Sequence, residues 1–214
     1  MNKDYSLLSK LLFFFGGLYI LSFGKVFLIE SNLGVDPWTV FHIGLANYLP
    51  ISVGQASQIA GAIMLLIGWA LHIKPAIGTF LNMYFFGFFL DINIALNEAL
   101  KITKPAESLA VSVLYLVIGI IVNGLGLGIY INGKLGAGPR DSFMLGVSKL
   151  TGKKPGTVRT WIESTAVFIG WLLGGPVGFG TLAYALSVGN VMQWTLEHIK
   201  LPQRKEAPQS SGVT

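Results

Sequence analysis

Long apolar stretches separated by short polar connections run through most of the chain. Because an α-helix rises about 1.5 Å per residue, about 20 mainly apolar residues are needed to cross the hydrocarbon core of a bilayer. Six stretches approach that length, at residues 11–29, 56–73, 76–96, 108–131, 160–175 and 178–196. The pattern predicts an all-α membrane protein with six transmembrane helices.

The composition favours the same class of protein. Of the 214 residues, 52% are hydrophobic and 12% are charged, and the mean hydropathy is +0.63. A soluble domain carries about 25% charged residues, so the lipid bilayer is the expected environment. The net charge of +5 comes from residues between the apolar stretches, which argues against nucleic-acid binding. The lack of cysteine excludes a fold held by disulfides.

Lysine and arginine are unevenly distributed among the connections. If the N-terminus is cytoplasmic, twelve of these residues lie on the cytoplasmic side, and only Lys101 and Lys104 lie outside. Short connections rich in lysine and arginine are retained in the cytoplasm. The distribution therefore predicts that both termini are cytoplasmic and that the connection at 31–55 is outside.

The sequence repeats itself at one ungapped offset of 102 residues, which aligns 11–91 with 113–193. The tripeptide Ile-Gly-Trp recurs at 67–69 and 169–171, and the pair Gly-Thr recurs at 78–79 and 180–181. Each half holds three predicted spans, and this odd number makes the second half enter the membrane from the opposite side. The sequence therefore predicts two inverted repeats, 1–104 and 105–198, followed by a disordered cytoplasmic tail at 199–214.

Each half also contains a Gly-x-x-Pro segment followed by a short apolar stretch, within 33–49 and 135–150. Proline is tolerated at the first position of a helix, and Asp36 or Gly138 just before it can act as N-cap. Two arrangements fit these short helices: flat at the membrane interface, or re-entrant and covered by protein. Re-entrant helices would present backbone N–H groups to an anion. The predicted structural turns are Gly34, Pro37, Gly136, Gly138 and Pro139.

Ionisable side chains within or beside the apolar stretches are costly to bury, so they are candidate substrate contacts. Simpler interpretations are open for several of them. Lys25 and Glu30 can extend to the interface, Glu163 can pair with Arg159, and the charges at 140 and 141 can serve only to set topology. We expect Arg140 and Asp141 to face the protein interior between the two halves. The candidate set is Arg140, Asp141, Asp36, Glu163, Lys25 and Glu30.

The sequence contains no motif of an enzyme active site, such as H-E-x-x-H, G-x-S-x-G or a phosphate-binding P-loop. We therefore expect no catalytic residues and no cofactor. His42, His72 and His198 lie on three different segments without the spacing of metal ligands. Structural or interfacial roles are expected for these histidines, and no metal site is predicted.

The string Leu-Gly-Ala-Gly-Pro-Arg-Asp at 135–141, followed by Lys-Pro-Gly-Thr at 154–157, resembles the YczE/YyaS/YitT group of bacterial integral membrane proteins. Within that group the sequence is most similar to the YczE branch. The resemblance extends over about residues 10–197. It implies a location in the bacterial inner membrane and leaves the substrate open.

Two functions fit these features. The first is a small secondary transporter or permease for an unidentified small molecule or ion, because inverted repeats with broken helices are common in such proteins. The alternative is a non-transporting membrane partner that stabilises or localises another protein, with Arg140 and the basic connection around it as docking surface. Assembly into a homo-oligomer is compatible with either of these two functions.

The predicted orientation is testable by cysteine labelling, because the chain contains no cysteine of its own. Asn47→Cys lies in the predicted outer connection and Lys153→Cys in the predicted inner one. In intact cells, an impermeant thiol reagent should label the first variant, and it should label the second only after the membrane is opened. Equal labelling of both variants from outside would contradict the predicted orientation.

Overall fold

The computed structural model describes residues 5–202, which form eight α-helices and no strand. The helices are α1 (Leu7–Glu30), α2 (Pro37–Tyr48), α3 (Val53–Ala70), α4 (Ile77–Leu100), α5 (Leu109–Asn132), α6 (Pro139–Thr151), α7 (Pro155–Leu172) and α8 (Phe179–His198). Most of the predicted tail, from residue 203 onward, lies outside the described residues. Residues 199–202 follow α8 without regular structure, and Leu201 there is buried.

The all-α membrane class is supported, but the prediction of six transmembrane helices is wrong. In the described part of the chain, four helices are long and apolar enough to cross a membrane: α1, α3, α4 and α5. The last two predicted spans correspond to α7 and α8, which are not apolar enough to qualify as membrane spans. Polar residues are the reason, because α7 begins with Pro-Gly-Thr-Val-Arg-Thr and includes Glu163, and α8 contains Asn190, Gln193 and Glu197.

The helix boundaries reproduce the sequence repeat. Each helix of the second half begins 102 residues after its counterpart, so that α5, α6, α7 and α8 correspond to α1, α2, α3 and α4. Two counterpart pairs also have equal length, since α1 and α5 have 24 residues each and α3 and α7 have 18 each. The two halves therefore share one succession of helices, although only the first half contains three helices that qualify as spans.

The two counterpart helices α1 and α5 pack against each other and run antiparallel. As the residue number rises along α1, the number of the contacting residue falls along α5. Glycine lies at every one of these contacts, and a Cβ at any of them would come within 2.7 Å of the facing helix or closer. The contacting pairs are Gly17 with Tyr130, Leu21 with Gly126, Gly24 with Asn123, and Leu28 with Gly119.

Reciprocal contacts recur where the loops of one half meet the other half. The Gly78 amide donates to the Leu135 carbonyl at 3.1 Å, and its counterpart Gly180 donates to the Leu33 carbonyl at 2.7 Å. Two residues at these crossings, Gly34 and Gly136, have φ angles of +98° and +130°, which side chains rarely adopt. Equivalent residues of the two halves thus make equivalent contacts with the opposite half, as the members of a two-fold arrangement do.

The short helix α2 is enclosed by protein. It packs against α3 and α7, and half of its residues are buried, among them Trp38, Val40 and His42. Its counterpart α6 packs against the same two helices, α3 and α7, and also against α4. The cover that a re-entrant backbone requires is therefore present for α2.

Adjacent glycines on α1 allow a matched test of this packing. Gly17→Ala places a Cβ 2.3 Å from the backbone nitrogen of Tyr130, whereas Gly16→Ala meets nothing within 4 Å. Gly17→Ala should destabilise the protein by about 1–3 kcal/mol through overpacking. Gly16→Ala should be neutral or stabilising by up to ~1 kcal/mol through helix propensity. Thermal unfolding in detergent measures both, and equal effects would contradict the close contact of α1 with α5.

Candidate functional site

A cavity of about 540 Å³ lies where the two halves meet, and all eight helices contribute to its wall. This volume is within the usual range of small-molecule sites. Four cationic and three anionic side chains line it, together with four large aromatic residues. The charged residues are Lys25, Asp36, Lys134, Arg140, Asp141, Arg159 and Glu163, and the aromatic residues are Trp38, Phe86, Tyr130 and Tyr184.

A buried ion pair lies on one side of the cavity. The ammonium of Lys25 on α1 is 2.7 Å from the carboxylate of Asp36, and both side chains are nearly inaccessible, at 4% and 3% exposed. Asp36 is also the N-cap of α2, where its other oxygen accepts from the Thr39 amide at 3.3 Å. Tyr184 on α8 contacts the lysine and donates to Asn123 on α5 at 2.5 Å. The first half thus supplies both charges, and the second half supplies Tyr184 beside the lysine.

The guanidinium of Arg140 also lies at the cavity, where it contacts the first half. It is 3.2 Å from Nε2 of His42 and donates to Oγ of Ser57 at 3.3 Å. It also stacks over the Trp38 ring at 4.7 Å. Because a guanidinium only donates, Nε2 of His42 must accept. Trp38 is the repeat counterpart of Arg140, so this contact joins equivalent positions of the two halves.

The remaining charged groups of the cavity have partners of their own. Asp141 accepts from the hydroxyl of Tyr130 at 3.1 Å. Arg159 and Glu163, one helical turn apart on α7, form an ion pair at 2.8 Å in which both side chains are partly exposed. Lys134 is exposed, and its ammonium lies 4.3 Å from the centre of the Tyr5 ring.

Of the four cavity cations, Arg140 and the exposed Lys134 have no ion-pair partner among the described residues. Among residues 5–202, the ion pairs are those of Lys25 with Asp36 and of Arg159 with Glu163. No carboxylate of the described chain lies within 4.0 Å of Arg140. An arginine held by neutral and aromatic groups in a cavity retains the capacity to bind an anion through its planar fork.

Five of the six candidate residues from the sequence line the cavity, namely Lys25, Asp36, Arg140, Asp141 and Glu163. The sixth, Glu30, lies elsewhere, at the end of α1, and accepts from Asn97 at 3.1 Å. Of the predicted turn residues, Pro37, Gly136, Gly138 and Pro139 also line the cavity, whereas Gly34 packs against Gly178.

Several contributors were not singled out from the sequence. His42, for which a structural or interfacial role was expected, contacts Arg140 directly. Trp38 could have been found, because the offset of 102 places it opposite Arg140. Nothing in the sequence distinguished Tyr130 or Tyr184 from other tyrosines, since their contacts arise from helix packing. The part of the chain that the structure describes contains no cluster of side chains suited to a metal ion.

Comparison with known sequences places the chain in a family. The profile of DUF6198, a family of unknown function, matches residues 8–197. The chain belongs to the DUF6198 family. This agrees with the resemblance to the YczE group, and the matched region of the DUF6198 domain contains the whole cavity lining.

Individual relatives of this DUF6198 member come from two bacteria. The uncharacterized membrane protein YczE of Bacillus subtilis is 37% identical over 188 residues, which cover 86% of this chain and 84% of YczE. An uncharacterized protein of Haemophilus influenzae is 35% identical over 94% of this chain and 88% of its own length. The uncharacterized protein YyaS of B. subtilis is 26% identical over 81% of this chain and 85% of YyaS. No solved structure matches the chain.

The ion pair of Lys25 and Asp36 can be tested with a double-mutant cycle. Lys25→Met or Asp36→Asn alone leaves one buried charge without its partner and should cost about 3–5 kcal/mol of stability. The double variant removes both charges and should cost less than the sum of the two single changes. Thermal or denaturant unfolding in detergent measures the cycle, and additive effects would contradict a direct interaction.

Proposed function

We propose that this membrane protein is a small secondary transporter that binds an anionic solute in the cavity between its two halves. The observation that carries the proposal is Arg140, a cationic side chain of the second half that contacts residues of the first half and has no carboxylate within 4.0 Å in the described chain. A solute bound beside Arg140 contacts both halves. Movement of one half against the other therefore changes the contacts of the solute.

The relation between α1 and α5 supports a transport mechanism. These counterparts are antiparallel, and the first half contains three helices that qualify as spans, so we propose that the halves have inverted topology. In transporters with inverted repeats, movement of one repeat against the other exposes a central site alternately to the two sides of the membrane. The repeat boundaries proposed for this function are those of the sequence, 1–104 and 105–198.

The start of α6 supports an anionic solute. The α6 N-terminus lies at the cavity through Gly138, Pro139 and Arg140, and no side chain caps it. Amide groups at a helix start and a neighbouring arginine both favour a negative charge. We propose a location in the bacterial inner membrane with both termini cytoplasmic, which the uneven distribution of lysine and arginine supports. No catalytic role is proposed.

The proposal predicts a specific effect of changes at Arg140. Ligands would be sought by thermal shift of the purified protein with a panel of anions, amino acids and metabolites. Uptake of the strongest ligand would then be measured in proteoliposomes. Arg140→Gln should abolish uptake, and Arg140→Lys should reduce it at least about tenfold, because a point charge does not reproduce a bidentate fork.

Lys149→Gln is the matched control, since Lys149 is an exposed cation on the same helix and does not line the cavity. It should retain full uptake. Full uptake by both Arg140 variants would remove this residue from the proposal. Specific co-purification of another protein, together with the absence of any ligand shift, would favour the alternative of a non-transporting membrane partner.

A further inference from the structure

An apolar groove lies between the counterpart helices α3 and α7, and its volume is about 480 Å³. The short helices α2 and α6 also line the groove, and each of them packs against both α3 and α7. The two halves contribute equivalent positions to the wall, among them the pairs Phe41 with Phe143, Ala60 with Ile162, and Ile67 with Ile169. The groove is therefore a second place where the two halves meet.

The groove is open to the surroundings of the protein. Ile63 and Ile67 on α3 are 50% and 45% exposed, and Ile169 on α7 is 41% exposed. Because α3 is long and apolar enough to cross a membrane, its exposed apolar side chains lie in the hydrocarbon core of the bilayer. The natural occupant of an apolar groove at this depth is a hydrocarbon chain.

The polar groups of the groove wall differ in whether they have partners. The hydroxyl of Thr151 donates to the Val147 carbonyl at 2.7 Å, and the hydroxyl of Thr165 donates to the Trp161 carbonyl at 2.8 Å. Among residues 5–202, Lys153 is the charged residue of the wall. Its ammonium lies 4.1 Å from the centre of the Trp161 ring, and no carboxylate of the described chain lies within 4.0 Å of it. This ammonium is therefore available to an anionic group.

The pair of Lys153 and Trp161 indicates where the groove meets the membrane surface. Tryptophan and lysine are typical of the interface between hydrocarbon and water, and the Trp161 side chain is 63% exposed. Lys149 and Lys154, nearby in the chain, are exposed as well. Clusters of lysine beside a membrane span attract anionic lipid head groups. A hydrocarbon chain in the groove therefore has a positively charged surface at the Lys153 end.

The width of the groove fits a single hydrocarbon chain. Its wall follows α7 from Val158 to Ile169, and eleven rises of about 1.5 Å give a length of about 16 Å. The volume divided by this length corresponds to a mean cross-section of about 30 Å². An α-helix about 10–12 Å across occupies about 80–110 Å². The groove is therefore too narrow for a helix of a second copy.

The ends of the chain do not supply an occupant either. Residues 1–4, Met-Asn-Lys-Asp, and residues 203–214, Gln-Arg-Lys-Glu-Ala-Pro-Gln-Ser-Ser-Gly-Val-Thr, lie outside the part that the structure describes. Neither segment contains a run of large apolar side chains. Burial of such polar segments in an apolar groove would cost the hydration of their side chains.

We propose that the groove binds an anionic glycerophospholipid, with one acyl chain between α3 and α7 and the phosphate at the ammonium of Lys153. The lipid comes from the leaflet in which the connection between α6 and α7 lies. Trp38 and Ile162 line both the groove and the cavity, whereas Lys153 and Ile63 line the groove alone. The lipid site goes beyond the proposed function and does not depend on transport.

Lipids with identical acyl chains test the head group. Dioleoyl phosphatidylglycerol or dioleoyl phosphatidylcholine would be added to the purified full-length protein in detergent, with native mass spectrometry and thermal unfolding as readouts. The anionic lipid should raise the unfolding temperature by about 5–10 °C at about 100 times its dissociation constant. Phosphatidylcholine should bind at least about fivefold more weakly. Glycerol 3-phosphate, which has no acyl chain, should have no effect.

Two adjacent lysines provide a matched test of the head-group contact. Lys153→Gln removes the cation of the groove and should weaken phosphatidylglycerol binding about fivefold. Lys154→Gln removes the same charge one residue further on, at an exposed position that does not line the groove. It should retain most of the binding.

Two exposed positions on α3 test the acyl-chain contact. Ile63→Trp fills the groove with a larger apolar side chain and should weaken binding of the same lipid at least about tenfold. Leu66→Trp is the control, because Leu66 is 64% exposed on the same helix and does not line the groove. It should bind the lipid as the wild type does. Both positions are half exposed or more, so the core packing is preserved in both variants.

Four results would overturn the lipid site. Equal binding of the two lipids would contradict the head-group contact, and equal losses in both lysine variants would indicate a diffuse effect of a basic surface. Equal binding by both tryptophan variants would place the lipid outside the groove. Native mass spectrometry also reports the number of copies, and a lipid-independent dimer that Ile63→Trp dissociates would assign the groove to a second copy of the chain.

Discussion

The close contact between α1 and α5 determines the rest of the structure. Gly17 and Gly24 on one helix, with Gly119 and Gly126 on the other, remove the side chains that would keep the backbones apart. In a membrane, where helices gain little from hydrophobic association, such small residues allow the tight packing that holds them together. Because the contacting helices are repeat counterparts and run antiparallel, the loops and short helices that follow them are brought to one shared cavity.

The two short helices begin at equivalent positions of the repeat but carry different charges there. The first half places Asp36 at the start of its short helix and neutralises it with Lys25. The second half places Gly138 and Arg140 at the corresponding turn. Burial of an unpaired charge is expensive. The charge of Asp36 is paired within its own half, whereas Arg140 contacts neutral and aromatic groups of the first half.

Most of the charged residues selected from the sequence line the candidate site, because a charge within a membrane span is rare and easy to recognise. Lys25, Asp36, Arg140, Asp141 and Glu163 were selected as costly residues beside apolar stretches, and all five line the cavity. Glu30 was selected by the same criterion and lies at the far end of α1 with Asn97. A charged residue in an apolar stretch therefore needs a partner. The sequence does not show whether that partner is another residue, which stabilises the fold, or a bound ligand. The six-span prediction failed for a related reason, since the polar residues of α7 and α8 were included in stretches judged by their apolar majority.

The sequence by itself determined the membrane class, the repeat at 102 residues, the positions of the two short helices and the main charged residues. Hydropathy and internal similarity depend only on the order of the residues along the chain. Only the tertiary structure decided that α1 and α5 are antiparallel partners, that His42 and Ser57 hold Arg140, and that Tyr130 and Tyr184 reach the cavity. The reason is physical: apart from the hydrogen bond of Tyr130 to Asp141, which spans 11 positions, these contacts join residues that are tens of positions or more apart in sequence. They depend on how closely the glycine faces allow the helices to approach.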